Sequence, residues 1–146
     1  MNRVLAATIR MLGPTDAAVL DHVAPGVFDN DVDPRWTAEF LSDPRHHLVV
    51  ALDNGHVVGM ASALHYVHPD KPPELWVNEV GVAPTHQGQG IARQLLRTLF
   101  AHGRSLGCDE AWLGTEESNV AARRLYAAVG GQEGPMVYVT FRLAEA

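Results

Sequence analysis

The sequence predicts an α+β fold, a sheet of mixed direction flanked by helices, on three observations. Apolar runs at residues 47–52 and 57–66 flank Asp53-Asn54-Gly55-His56, and Asn-Gly between apolar runs is a strong hairpin signal. Residues 74–82 alternate well enough to add a further strand. From residue 80 to 114 the order reads strand, glycine loop, helix, strand, and a crossover of that length joins neighbouring parallel strands in a right-handed sense. With 146 residues and 47% hydrophobic content, the chain is expected to form one domain spanning residues 1–146.

Taken in order, residues 4–11 are apolar-rich with Thr8 and Arg10 interleaved and read as an opening strand. Gly13-Pro14-Thr15-Asp16 signals a turn and an N-cap for a helix through about Val23, which Pro25-Gly26 ends. The acidic stretch from Asp29 to Asp33 precedes a short helix over 36–41, with Pro34 suited to its first turn. After the hairpin strands and residues 74–82, the helix over 90–106 places Ile91, Leu95 and Leu99 with Ala92 and Leu96 on one stripe facing the sheet. Residues 110–114 form a short strand and 119–129 a helix that Gly130-Gly131 terminates. Residues 136–143 are read as a last strand. No internal repeat, low-complexity segment or linker interrupts this order.

The informative stretch is Val80-Gly-Val-Ala-Pro-Thr-His-Gln-Gly-Gln-Gly-Ile-Ala92. A helix start carries unpaired N–H groups and the positive end of the macrodipole, so it stabilises an anion. Gly88 and Gly90 let backbone amides approach a pyrophosphate closely. A nucleoside triphosphate P-loop requires Gly-Lys-Ser/Thr, and here Ile91-Ala92 follow Gly90. A dinucleotide fingerprint requires a third small residue where Arg93 stands.

What remains, Gln87-x-x-Gly90-x-Ala92 at a strand-to-helix junction, resembles the acetyl-coenzyme A pyrophosphate motif of the GNAT superfamily of N-acetyltransferases. The stretch from Asn119 through Leu125-Tyr126 to Gly130 resembles the second signature of that family, and the likeness covers roughly residues 47–143. The resemblance implies a mostly antiparallel sheet with a V-shaped splay between two parallel strands. It also implies acetyl-CoA as cofactor, coenzyme A as product, and direct transfer through a ternary complex.

Transfer from a thioester to an amine needs a held cofactor, a deprotonated amine, a donor for the carbonyl oxygen and a proton for the thiolate. By resemblance, backbone amides of Gln87, Gly88, Gln89, Gly90, Ile91 and Ala92 hold the pyrophosphate, with the Gln87 side chain capping the loop. Val80, Gly81 and Val82 hold the pantetheine arm, the Val80 amide serving as oxyanion donor. Gly81 in mid-strand is consistent with a bulge. Glu79 is the candidate general base, directly or through water, because partial shielding raises a carboxyl pKa toward working pH. Tyr126 resembles the general acid and also contacts the cofactor. Asn119 contacts pantetheine, caps its helix, or both.

The acceptor side is expected to gather Asp29, Asp31, Asp33, Glu79, Glu116 and Glu117, a mouth suited to a cationic amine. The Val82-x-x-x-His86-x-x-Gln-Gly-Ile-Ala92 run and the Phe28-Asp29 loop are similar to bacterial aminoglycoside 3-N-acetyltransferases, although Glu116-Glu117-Ser-Asn119 departs from that subgroup. An aminoglycoside is therefore the favoured acceptor. Another small amine, such as a polyamine or amino acid derivative, and a protein N-terminus stay open. A non-catalytic acetyl-CoA-binding module is disfavoured by the presence of both Glu79 and Tyr126.

The balance of 17 acidic and 11 basic residues, formal charge −6, disfavours nucleic acid as a partner. Apolar runs fall far short of the roughly 20 residues a membrane helix needs, and the first residues lack a signal peptide's apolar core. A cytoplasmic protein without membrane partners is expected, and dimers among relatives suggest a homodimer. The lone Cys108, in a helix-exit turn, reads as packing. His65 and His68, and the adjacent His46 and His47, lack the cysteine pair or His-Glu-x-x-His helix of a zinc site, so no metal is expected. His86, just before the glycine loop, contacts cofactor or substrate or caps the turn.

Overall fold

Two residues with positive φ, Asn54 at 54° and Gly55 at 79°, close the hairpin around which the sheet is built. That pair of left-handed conformations matches the twist of the flanking strands, as in a type I′ turn. The computed structural model describes residues 7–144, in the order β1 (Thr8–Met11), a 3₁₀ turn (Ala17–Asp21), α1 (Pro34–Ser42), β2 (His46–Asp53), β3 (His56–Tyr66), β4 (Glu74–Val82), a second 3₁₀ turn (Pro84–His86), α2 (Ile91–Ser105), β5 (Glu110–Trp112) and α3 (Val120–Ala128). The five strands form one sheet in sequence order, antiparallel except for the parallel pair β4 and β5.

The apolar stripe of α2 supplies Ile91, Leu95, Leu96 and Leu99, each at most 2% exposed, to the core, where Ile91 and Leu95 close on Gly59 of β3 and Gly103 of the helix closes on Leu75 of β4. Full burial of each such side chain stabilises by roughly 1.5–3 kcal/mol, so this seam is the anchor of the fold. The helix ends with His102 and Arg104 in its last turn, where cations suit the negative end of the dipole. Asp33 starts α1, its carboxylate accepting from Arg35 N–H, with Pro34 in the first turn. No helix among the described residues is long and apolar enough to cross a membrane.

Three sequence expectations change. The helix expected up to Val23 is one 3₁₀ turn, Ala17–Asp21, because Asp16 does not cap it: its carboxylate accepts from Gly13 N–H and Arg10 instead. The irregularity in β4 falls at Asn78, since Ser62 pairs with Glu79 and Ala63 with Val77, leaving Asn78 as the extra residue rather than Gly81. The last strand, 136–143, does not form; those residues are exposed and lie outside the sheet. Of the opening segment 4–11, residues 4–6 lie outside the described part and β1 covers Thr8–Met11.

A row of three imidazoles ties the helix to the sheet. His47 on β2, 6% exposed, pairs through Nε2 with His65 Nδ1 on β3 at 2.7 Å and through Nδ1 with His102 Nε2 on α2 at 3.1 Å. Burial, followed by the neighbouring imidazoles His102 and His65, holds His47 down at about 4. Because the unfolded chain takes up this proton near pH 6.5 and the folded one only near 4, the shift costs nothing above 6.5 and lowers stability progressively as pH falls from 6.5 toward 4. The loss amounts to about 3 kcal/mol across that window. Urea titrations at pH 7, 6, 5 and 4 are expected to show this decline and a shallower one for His47→Gln; equal slopes for the two proteins would remove His47 as its source.

Candidate active site

β4 and β5 pair only over Glu74–Glu110, Leu75–Ala111 and Trp76–Trp112, after which β5 ends. From residue 77 to 82, β4 therefore keeps β3 on one side and has no strand on the other, the splay expected between two parallel strands. At the open end lies a cavity of about 420 Å³, lined by Asn78, Glu79, Val80, Gly81, Val82 and Gln87 from β4 and the following loop. Its opposite wall is Gly26, Val27 and Asp29, with Met60 of β3 beside them.

That wall sits hard against the strand. A Cβ placed on Gly81 would stand 2.2 Å from the Val27 carbonyl oxygen, closer than any real Cβ contact. Gly81 is thus the residue that lets the 26–29 segment reach β4 and carry Asp29 to the cavity. Burial, and next the charge of Asp29, push the Glu79 carboxyl above its ordinary value. A raised carboxyl is a stronger proton acceptor once ionised, the property a general base needs.

Past the cavity the chain forms the glycine loop. Gln87 Nε2 donates to the Val82 carbonyl at 3.2 Å, fastening the loop to the end of β4. Gly88 and Gly90 have φ of 76° and 79°, and a Cβ on either would meet nothing within 4 Å, so the cradle is open. Gly90 is the N-cap of α2 and offers no side chain to its first N–H groups, and no acidic residue lies in that turn. Ile91 is 2% exposed with its side chain in the core, so it presents only backbone here. An open, uncapped helix start without negative charge fits a pyrophosphate.

A contact not foreseen from sequence braces this loop. His86 Nε2 lies 2.7 Å from Asp53 Oδ2 at the end of β2, and its Nδ1 lies 2.8 Å from Thr85 Oγ1. Partners 33 residues apart leave no local signal.

Other expected residues lie apart from the cavity. Asp33 caps α1 and pairs with Arg35 at 3.2 Å; Asp31, Glu116 and Glu117 are exposed and do not line it. Of the six carboxylates grouped from sequence, Asp29 and Glu79 line it. Asn119 is the N-cap of α3, its Oδ1 accepting from Ala122 N–H at 3.1 Å. Tyr126, on α3, is half-buried against the core and outside the cavity lining, and burial pushes its hydroxyl pKa up. Cys108 is buried, and burial with Asp109 raises its thiol, the reverse of an activated nucleophile. Among the described residues, no three His, Cys, Asp or Glu are grouped to hold a metal. Sequence reasoning also missed Gly26, Val27, Met60 and Asn78, whose roles in the lining depend on packing and on an irregular register; mid-strand Gly81 was the one legible trace of them.

Comparison with known proteins agrees with this geometry. Residues 18–130 match the model of the acetyltransferase (GNAT) family. The chain is 32% identical over 127 residues to an uncharacterized N-acetyltransferase of Mycobacterium tuberculosis, covering 87% of this chain and 78% of that one. It is 35% identical over 128 residues to the N-alpha-acetyltransferase RimI of the same organism, covering 86% and 78%. In structure it is similar to the aminoglycoside acetyltransferase meta-AAC0020 from an uncultured soil metagenomic sample, solved with sisomicin, at a TM-score of 0.80 and 16% identity over 94% and 97% of the two chains. With the splayed β4 and β5, the raised Glu79 carboxyl and the open glycine cradle, the chain belongs to the GNAT family of acetyl-CoA-dependent N-acetyltransferases.

Proposed function

We propose that residues 1–146 form one N-acetyltransferase domain that acetylates a primary amine of a cationic small molecule, an aminoglycoside at the 3-N position being the favoured acceptor. The observation that carries the reading is the pair of carboxylates, Asp29 and Glu79, sharing one cavity beside the open edge of β4. Two acids in partial shielding attract an ammonium group more strongly than either would in water. The net charge of −6 favours encounter with a polycation as well. Likeness in fold to an aminoglycoside acetyltransferase is consistent with this acceptor.

Bound acetyl-CoA supplies the activated acetyl group. Amides from Gln87 to Ala92 hold its pyrophosphate, and Val80, Gly81 and Val82 offer the strand edge that β5 leaves unpaired. Asn119 caps α3 through Oδ1, leaving its amide NH₂ for pantetheine. Asp29 holds the acceptor's ammonium, and Glu79 removes a proton from it, directly or through one water, to give the free amine that attacks. The Val80 N–H is the donor proposed for the developing oxyanion. Tyr126, kept protonated by burial, holds the proton that the departing thiolate requires. Asp31, Glu116 and Glu117 act only through longer-range attraction, which salt screens.

Similarity to RimI supports a second reading, in which the acceptor is a protein α-amino group. The deciding experiment is thiol release from acetyl-CoA against a panel of aminoglycosides, polyamines, amino acids and N-terminal peptides, with mass spectrometry of products. Mono-acetylated gentamicin or sisomicin supports the first reading; turnover restricted to peptides replaces it with the second.

Gly90→Val tests the cradle. A β-branched residue is strained at a φ of 79° and would project into the open cradle proposed for the pyrophosphate, so acetyl-CoA affinity is expected to fall by about tenfold or more by calorimetry. Wild-type affinity in a folded variant would refute the pyrophosphate assignment.

A further inference from the structure

The two faces of the sheet differ in what packs on them. A Cβ on Gly59 would meet Ile91 and Leu95 at 3.1 and 3.3 Å, and one on Gly103 would meet the Leu75 side chain at 2.9 Å, so Gly59 of β3 and Leu75 of β4 point toward α2. Side chains alternate along a strand, so Met60, Ser62 and Leu64 of β3 point the other way, and their cross-strand partners Gly81, Glu79 and Trp76 share that face.

Trp76 and Glu79 would stand on opposite faces of a regular strand. The extra residue Asn78 puts them on one, which is what a bulge beside a site does. Their partners Leu64 and Ser62 are successive residues of one face of β3, so Trp76 and Glu79 are set roughly 7 Å apart along β4. The cavity lined by Glu79, Gly81 and Met60 therefore opens on the face away from α2, with Trp76 just beyond its lining.

Trp112, the partner of Trp76 on β5, stacks on it with ring centroids 5.8 Å apart and planes 28° apart. The Trp112 N–H donates to the Tyr66 hydroxyl at 2.6 Å, and that hydroxyl donates to Glu74 Oε2 at 3.2 Å, which pins the second indole across β4 from β5 to β3. Both indoles are partly exposed, and among the described residues neither packs against the buried core. Such a pair is a fixed platform whose π face attracts cations. Carboxylates stand at both ends of it on the same face: Glu79 toward the cavity, and Glu74, which His68 also meets at 3.1 Å, on the far side.

We propose, resting on the reading of that cavity as the site of a cationic amine, that Trp76 stacked on Trp112 is a specificity residue of the acceptor site. It receives the flat face of a saturated ring that carries an ammonium group, while the reacting amine of that ring reaches Glu79. Continuity with the cavity and charge select this occupant. A six-membered ring and its amine substituent bridge the distance from Trp76 to Glu79, and its positive charge lies over a π face between two carboxylates. An anionic body would be repelled by both acids.

The test is steady-state kinetics with gentamicin as acceptor for the wild-type chain, Trp76→Leu and Trp76→Phe. Leucine keeps apolar bulk on the sheet and loses the π face; phenylalanine keeps a π face. Trp76→Leu is expected to raise the gentamicin KM about tenfold, with kcat and the acetyl-CoA KM within about twofold of wild type. Trp76→Phe is expected to hold the gentamicin KM within about threefold of wild type. An unchanged gentamicin KM in Trp76→Leu, or equal losses in the two variants, would overturn the proposal. So would losses spread over kcat and the acetyl-CoA KM alike, the mark of a scaffold role. A wild-type chain that leaves gentamicin unacetylated fails before any variant is made, and removes the acceptor reading together with the platform.

Discussion

Glu79→Gln is expected to lower turnover by about 10²–10⁴-fold, the range general-base removal produces, with acetyl-CoA affinity little changed. The amide is close in size and cannot take a proton, so the cavity keeps its shape and loses its base. Wild-type kcat/KM should rise as pH climbs through the Glu79 pKa, which shielding and the Asp29 charge lift above the ordinary carboxyl value. The variant should lose that limb of the profile. Asp29→Asn lowers the same pKa by removing a like charge, moving the limb to lower pH while raising the KM of a cationic acceptor. A Glu79→Gln enzyme with wild-type turnover at every pH would leave Glu79 no part in proton removal.

Gly81→Ala is expected to damage both stability and acceptor binding. The added Cβ would be 2.2 Å from the Val27 carbonyl oxygen and 3.2 Å from its carbon, and backbone cannot rotate aside as a side chain can. The 26–29 segment must retreat, at a cost of about 1–3 kcal/mol for overpacking. Because Gly26, Val27 and Asp29 form the far wall of the cavity, the retreat also withdraws one of the two carboxylates. Thermal melts and acceptor KM should shift together. A variant with unchanged Tm and KM would show that the close approach of Val27 is dispensable.

These two residues illustrate different degrees of legibility. Glu79 was readable because it stands just before a spelled motif, so its place in the chain carried its place in the site. The carboxylates further off were not. Asp29, Asp31 and Asp33 are equivalent by composition, yet Asp33 is committed to the start of α1 and to Arg35, and Asp29 alone of the three lines the cavity. Which acid of a cluster faces a site depends on local capping and on the path of the loop, neither of which alternation or spacing encodes.

The sequence by itself determined the hairpin, β4, the glycine loop and α2, because each depends on short-range physics. Asn54-Gly55 fills positive-φ positions, the alternation in 74–82 matches a half-buried strand, and apolar spacing in α2 matches one buried face. Family and cofactor follow from that same local spelling. Only the tertiary structure decided where β4 and β5 part, that Asn78 rather than Gly81 is the extra residue, that His86 braces the loop through Asp53, and that His47 is buried between two other imidazoles. It also decided that 136–143, a strand by pattern, finds no place in this chain's own sheet. Pairing, unlike turn formation or helix periodicity, depends on which strand edge the folded chain brings within hydrogen-bond reach, and no local pattern encodes that.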